Sequence, residues 1–179
     1  MLEPRLISSS RVRDDRGWFS CIWREAEAPF PVAEENHSHS ARAGTIRGLH
    51  WQEPQQAKLV RVLQGAILDA CVCLTDARVF LFELSADRGE ALYVPEGYAH
   101  GFCTLENETE VSYKVSAPYA PGAQFSVDAF DPSLAIPWPV DRATAHMSAK
   151  DAQAPRLYDI RPSARPLRPD PVTLDWVAE

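Results

Sequence analysis

The chain predicts an all-β fold, a sandwich or barrel, on three observations. Its 15 prolines and 8 glycines are spread along the whole length and cut it into short segments. Those segments are rich in β-branched and aromatic residues. Few stretches long enough for an ordinary helix escape a breaker.

In chain order the β-type segments are WFSCIWRE (18–25), KLVRVLQGAILDACVCL (58–74), RVFLFELS (78–85), ALYVPEGYAHGFCTL (91–105), TEVSYKVS (109–116) and AQFSVDAF (123–130). Gly65 interrupts the second of them and predicts a tight turn joining antiparallel neighbours. Pro95-Glu96-Gly97 predicts another turn, because proline presets φ and glycine tolerates the left-handed region. SAKDAQAPRL (148–157) is the best candidate for a short helix, so helix is a minor component. The last stretch, RPSARPLRPDPVTLDWVAE, is rich in Pro and Arg and reads as a surface tail over 161–179. With no linker or repeat, the 179 residues read as one domain with its core at about 14–155.

Charge limits the partners. With 25 acidic against 18 basic residues and net charge −7, the chain as a whole has no electrostatic reason to hold nucleic acid or an anionic membrane. An anionic ligand must be met by locally grouped Arg and Lys. The four cysteines, Cys21, Cys71, Cys73 and Cys103, form no CxxC pair. Cys71 and Cys73 would share a strand face, poorly placed to bridge each other, which reads as packed thiols in a reducing compartment. No apolar signal core opens the sequence and no stretch approaches a membrane span, so the cytoplasm is expected.

Two short motifs carry the chemistry. Gly48-Leu49-His50 opens one strand, and Pro95-Glu96-Gly97-Tyr98-Ala99-His100 follows the Gly65 turn. A glycine-bounded hairpin followed by P-x-G-x-x-H is the skeleton of a cupin, a double-sheet jelly-roll barrel whose motifs aim side chains into its mouth. A metal-binding cupin takes two histidines and a glutamate from the first motif; this one offers a single histidine, followed by Trp51 and Gln52. Two imidazoles fall short of the three donors that zinc or iron wants, so no metal and no cofactor are expected, and acid–base work is the alternative use for the rings.

Eight segments in order, DDRGWF (14–19), ENHSHS (35–40), RGLHWQ (47–52), QAKLVRVLQGAILDA (56–70), LYVPEGYAHGF (92–102), VSYKVSAPYAP (111–121), DPSLAIPWP (131–139) and MSAKDAQAP (147–155), resemble the dTDP-4-dehydrorhamnose 3,5-epimerases of deoxysugar biosynthesis. The resemblance implies a cofactor-free isomerase that inverts C3, C5 or both in a dTDP-4-keto-6-deoxyhexose through an enolate. It also implies a homodimer in the cytoplasm. His50 matches the base and Asp151 the carboxylate that orients it. Lys58 matches the cation beside the ketone oxygen, and Tyr113 the acid on the far face. Asp69 and His100 match a second carboxylate–imidazole pair. Arg47, Lys150 and Arg16 match the diphosphate contacts, Phe19 reaches over from a partner subunit, and Glu34, Asn36 and Tyr119 fall at substrate-side positions.

Simpler readings stand beside these. A strand histidine is commonly a packed residue, Asp151 suits a helix N-terminus, Tyr113 suits a core aromatic with its hydroxyl at the rim, and Lys58 can snorkel to solvent. Tyr119 between prolines can be a loop anchor. His37 and His39 read as loop hydrogen-bonders without chemistry. The chain departs from the family pattern where Cys73-Leu74-Thr75 replaces D-x-R and the following loop is shorter, where Cys21 replaces a glutamate, and where Glu34 replaces a glutamine. Two other functions fit the same residues: a cupin 3,4-ketoisomerase on the same substrate class, and a nucleotide-sugar-binding cupin without turnover.

Overall fold

The computed structural model describes residues 2–161 and 173–174. Strands β1 (Arg5–Ile7), β2 (Val12–Asp14), β3 (Gly17–Phe19), β4 (Glu34–Ser40), β5 (Ile46–Gln52), β6 (Lys58–Gln64), β7 (Ala66–Cys73), β8 (Val79–Ser85), β9 (Ala91–Val94), β10 (Tyr98–Thr104), β11 (Thr109–Val115), β12 (Gln124–Ser126) and β13 (Thr173–Leu174) are joined by two single-turn helices, α1 (Ala149–Ala152) and α2 (Leu157–Ile160). Two sheets form the body, in the orders β1-β9-β6-β11-β4 and β12-β5-β10-β7-β8-β13, and β2–β3 is a separate hairpin. This is the expected jelly roll. The predicted tail lies outside the described residues except for Arg161 and β13, which runs parallel to β8.

Three apolar clusters explain why so many strands read as continuous hydrophobic runs. Val60, Val62, Ile67, Cys71, Phe82, Leu92, Val94, Phe102 and Val111, drawn from both sheets, fill the space between them. Ile46, Leu49, Trp51, Ala70, Val72, Leu81 and Ala99 face the other way and are covered by the C-terminal segment through Val127, Leu134, Trp138 and Leu157. Leu59, Ala91 and Tyr93 are covered by Phe30, with Ile7 and Trp23 packed alongside. β7 therefore buries Ala70 and Val72 on one face and Cys71 and Cys73 on the other. A strand buried on both faces loses the apolar–polar alternation that marks a half-exposed one.

Four expectations need correction. Gly65 (φ 78°) does not join paired strands; β6 and β7 belong to different sheets, and the glycine is the corner at which the chain crosses between them. The same left-handed conformation serves a hairpin and a corner, so the residue alone does not distinguish them. WFSCIWRE is strand only to Phe19. His37 and His39 lie on β4, an edge strand rather than a loop, and reach Glu110 at 3.2 Å and Glu108 at 2.9 Å. Of the four free thiols, Cys21 is exposed rather than packed.

Candidate active site

β5 and β10 come unusually close. A Cβ built on Gly48 would lie 2.7 Å from the Gly101 Cα, and one on Gly101 would lie 2.7 Å from the Arg47 carbonyl. Only glycine fits at such an approach, and at Gly48 the positive φ of 121° adds a second reason. The contact fixes the register that sets His50 directly opposite His100, so the two imidazoles form a cross-strand pair on one face.

Each ring has its own carboxylate. His50 Nε2 donates to Asp151 Oδ1 at 2.6 Å across 101 residues of sequence. His100 Nε2 donates to Asp69 Oδ2 at 2.8 Å, with Asp69 on the neighbouring β7. An ionised carboxylate can only accept, so Nε2 carries the proton in both rings and Nδ1 is left as the acceptor. Asp151 is held by its helix: Ser148 caps α1 and its Oγ accepts from the Asp151 backbone N–H at 3.0 Å, while the carboxylate reaches back to β5. Burial works to raise the Asp151 carboxyl, but hydrogen bonds from His50 and Ser148 outweigh it and hold the group below its ordinary value. His100 goes the other way. Burial lowers its pKa, more than Asp69 raises it, so the ring is neutral.

The opposite sheet supplies the facing groups. Tyr113 lies across β11 from Asn36 on β4, and Lys58 opens β6 opposite Val115. Burial lowers the Lys58 ammonium to about 8 against the pull of Asp69, and raises the Tyr113 phenol above its usual value, so the phenol is protonated at neutral pH. His50, His100, Lys58, Tyr113, Asn36, Arg47 and Tyr119 line one cleft of about 380 Å³. Asp69 lies behind His100, fully buried.

At the rim, Arg47 is steadied by Nε to Ser40 Oγ at 3.1 Å and Nη2 to the His39 carbonyl at 2.7 Å. Lys150 Nζ donates to Gln124 Oε1 at 2.6 Å. Glu34 Oε2 accepts from the Tyr119 backbone N–H at 3.1 Å, so Glu34 fastens the Tyr119 loop. Glu34 and Lys150 reach the cleft only through the lining residues Tyr119 and Gln124, and Arg16 and Phe19 are not brought to it within one chain. Arg16 is exposed and paired to Asp14 at 2.6 Å, and Phe19, 72% exposed, sits on the β2–β3 hairpin beside a different cavity lined by Cys21 and Arg61. A separate hairpin hydrogen-bonded to neither sheet cannot be placed from sequence spacing alone.

Sequence reasoning passed over Ser38, Gln56 and Gln124, which also line the cleft, and Gln52. Gln52 accepts from the Ala120 N–H at 3.1 Å and donates to the Pro118 carbonyl at 2.9 Å, and Gln56 donates to the Ala117 carbonyl at 2.6 Å. For two of them the signal was position: Gln52 is two residues after His50 on β5, on the same face by the strand period, and Gln56 lies two residues before Lys58 at the entry to β6. Among the described residues no group of three or more His, Cys, Asp or Glu could hold a metal ion, and no helix is long and apolar enough to cross a membrane.

A jelly-roll barrel with two carboxylate-paired imidazoles on one sheet, and a phenol and an ammonium on the other, defines a cupin equipped for moving protons. The family model described as dTDP-4-dehydrorhamnose 3,5-epimerase matches residues 3–159. The chain belongs to that family of sugar-nucleotide epimerases, within the isomerases. A dTDP-4-dehydrorhamnose 3,5-epimerase of Sinorhizobium fredii is 39% identical over 170 residues, covering 88% of this chain and 87% of the relative. The Bacillus anthracis enzyme of the same name, solved with TDP and PPi bound, superposes with a TM-score of 0.81 at 39% identity, covering 86% of this chain and 93% of that one. A 3′-monoepimerase from Streptomyces bikiniensis in complex with dTDP-quinovose gives a TM-score of 0.81 at 30% identity, covering 91% and 88%.

Proposed function

We propose that this chain inverts C3, C5 or both in a dTDP-4-keto-6-deoxyhexose by removing and returning a proton beside the ketone. The observation that carries the reading is one cleft flanked by an Asp151-oriented imidazole on one sheet and the Tyr113 phenol on the other. His50 Nδ1 takes the α-proton, and Asp151 stabilises the imidazolium that forms. The electron pair moves into the carbonyl, and the Lys58 ammonium stabilises the oxyanion of the enolate, an interaction worth on the order of 3 kcal/mol of barrier. Tyr113 returns a proton from the opposite face, which inverts the centre. Only protons move.

Arg47 and Lys150 at the rim meet the diphosphate, and Glu34, Asn36 and Tyr119 contact the substrate beside them. Arg16 and Phe19 enter the cleft of a second copy, in a homodimer favoured by the apolar exposure of Val12, Trp18, Phe19 and Ile22. The protein works as one domain in the cytoplasm, consistent with four free thiols.

Incubation in deuterated water with the 4-keto sugar nucleotide tests the reading. Deuterium should enter C3, C5 or both. Tight binding without exchange would mark a sugar-nucleotide binder, and a shifted carbonyl a ketoisomerase. Thymidine, cytidine, uridine and guanosine diphosphosugars tried side by side should rank thymidine first.

A further inference from the structure

Side chains along β6 alternate between two cavities. Lys58 lines the cleft, whereas Leu59 and Arg61 line a second cavity of about 230 Å³ on the outer face of the same sheet. Its walls are of two kinds. Ile7, Trp23 and Leu59 give it an apolar side, and Ser8, Ser10 and Arg61 a polar one. Among the described residues no acidic side chain lines it.

Arg61 is half-buried, and the acceptors it meets are all neutral. Nη1 donates to Ser9 Oγ at 3.3 Å and to the Gly89 carbonyl, and Nη2 donates to the Ile22 carbonyl at 3.4 Å. A guanidinium has about five N–H donors, so these three bonds leave donors over. The Ser8 and Ser10 hydroxyls have no partner among the described residues and are likewise available. A second cation stands beside this wall: Arg11 donates to the Ala86 and Asp87 carbonyls and lies over the Trp18 ring at 4.0 Å, again with no ion pair among the described residues. Burial, and after it the charge on Arg11, both work against the Arg61 cation. Half-buried charge is ordinarily offset by an opposite one, and here two like charges share the carbonyls of one turn, in a protein of net charge −7.

We propose that this cavity is a second ligand site that takes a small phosphate ester, with the phosphate held by Arg61 and the Ser8 and Ser10 hydroxyls and the organic part against Ile7, Trp23 and Leu59. A carboxylate presents its acceptors in one plane. The donors here come from β6 on one side and from the 8–10 segment on the other, which suits the tetrahedral oxygens of a phosphate. The sheet separates this site from the cleft, so the proposal stands apart from the reading of the reaction.

Titration calorimetry at fixed ionic strength tests it, with phenyl phosphate, inorganic phosphate and benzoate as probes. The background is the chain carrying Arg47→Ala and Lys150→Ala, which removes the cleft's rim cations as a competing anion site. Phenyl phosphate should bind at one site, more tightly than inorganic phosphate because its ring gains the apolar wall, and at least about tenfold more tightly than benzoate. Adding Arg61→Gln should weaken phenyl phosphate by about tenfold or more, since the charge and its free donors go together. Thermal melts check that variant's fold. Ser8→Ala with Ser10→Ala, which leaves β6 untouched, should independently weaken binding by about fivefold. An absence of saturable binding, benzoate binding as tightly as phenyl phosphate, or an affinity unmoved by loss of the two hydroxyls or of a folded chain's Arg61 overturns the proposal.

Discussion

His50–Asp151 and His100–Asp69 are the same two side chains in the same donor geometry, with their imidazoles side by side on neighbouring strands, and they differ in almost everything else. The first pair lies at the cleft wall, with the imidazole 25% exposed and the carboxylate delivered by a capped helical turn 101 residues away. The second is sealed in the floor, 8% and 0% exposed, with both members on adjacent strands of one sheet. A ring that must pick up a proton from a ligand needs an open face and a partner that welcomes the new charge. A sealed ring does better neutral, serving as a fixed donor that holds a buried carboxylate in place. On the proposed reading, access, more than pairing, separates the base from the scaffold.

The largest expected effect falls on the open pair. His50→Ala should lower deuterium exchange by about 10³-fold or more with the melting curve nearly unchanged; exchange at the wild-type rate would remove the distinction between the pairs. Asp151→Asn should cost about 10²-fold in kcat, because an amide can donate to Nε2 and favour the wrong tautomer. A loss confined to KM would count against that orienting role.

The closed pair should respond in stability. Asp69→Asn leaves buried groups imperfectly matched and should cost about 1–3 kcal/mol in denaturant unfolding, more than Asp151→Asn does. The reverse order would mean that the floor is not the stiffer region.

The mildest test is pH. On the proposed mechanism the rate needs Lys58 protonated, so above about 8 kcat should fall by up to tenfold per pH unit, a limb that Lys58→Ala should lack. Stability moves oppositely. The folded lysine releases its proton before the unfolded one does, so between about 8 and 10.5 the unfolded chain holds more protons and rising pH favours the fold through this group. A protein that loses activity there while gaining stability, with both pH dependences absent in Lys58→Ala, would mark this site as their source.

Much of this was legible in the sequence because β-rich segments and motif residues are local signals. His50, Lys58, His100 and Tyr113 lie on strands whose period of two decides which face each takes, and all line the cleft. Asp151 was not legible from spacing, since a hundred intervening residues bring it to His50 only through the fold; its recognition depended on the family pattern. Gly65 was misread because a corner between sheets and a hairpin turn ask for the same backbone. β4 was taken for a loop because an edge strand with alternate exposed residues can be almost entirely polar, as Glu34, Asn36, Ser38 and Ser40 are. The hairpin of Arg16 and Phe19 makes no ladder with either sheet, so nothing in its own residues says where it rests.

The close approach of Gly48 and Gly101 has a further chemical consequence. By forcing two imidazoles into one cross-strand pair, it brings the His50 charge to bear on His100, where, after burial, it is among the influences that lower the ring's pKa. On the proposed mechanism, a floor ring that ionised would place a second cation beside the imidazolium formed when His50 takes the α-proton. On that reading the buried floor serves as insulation, so that the single positive charge created during turnover forms on His50 alone.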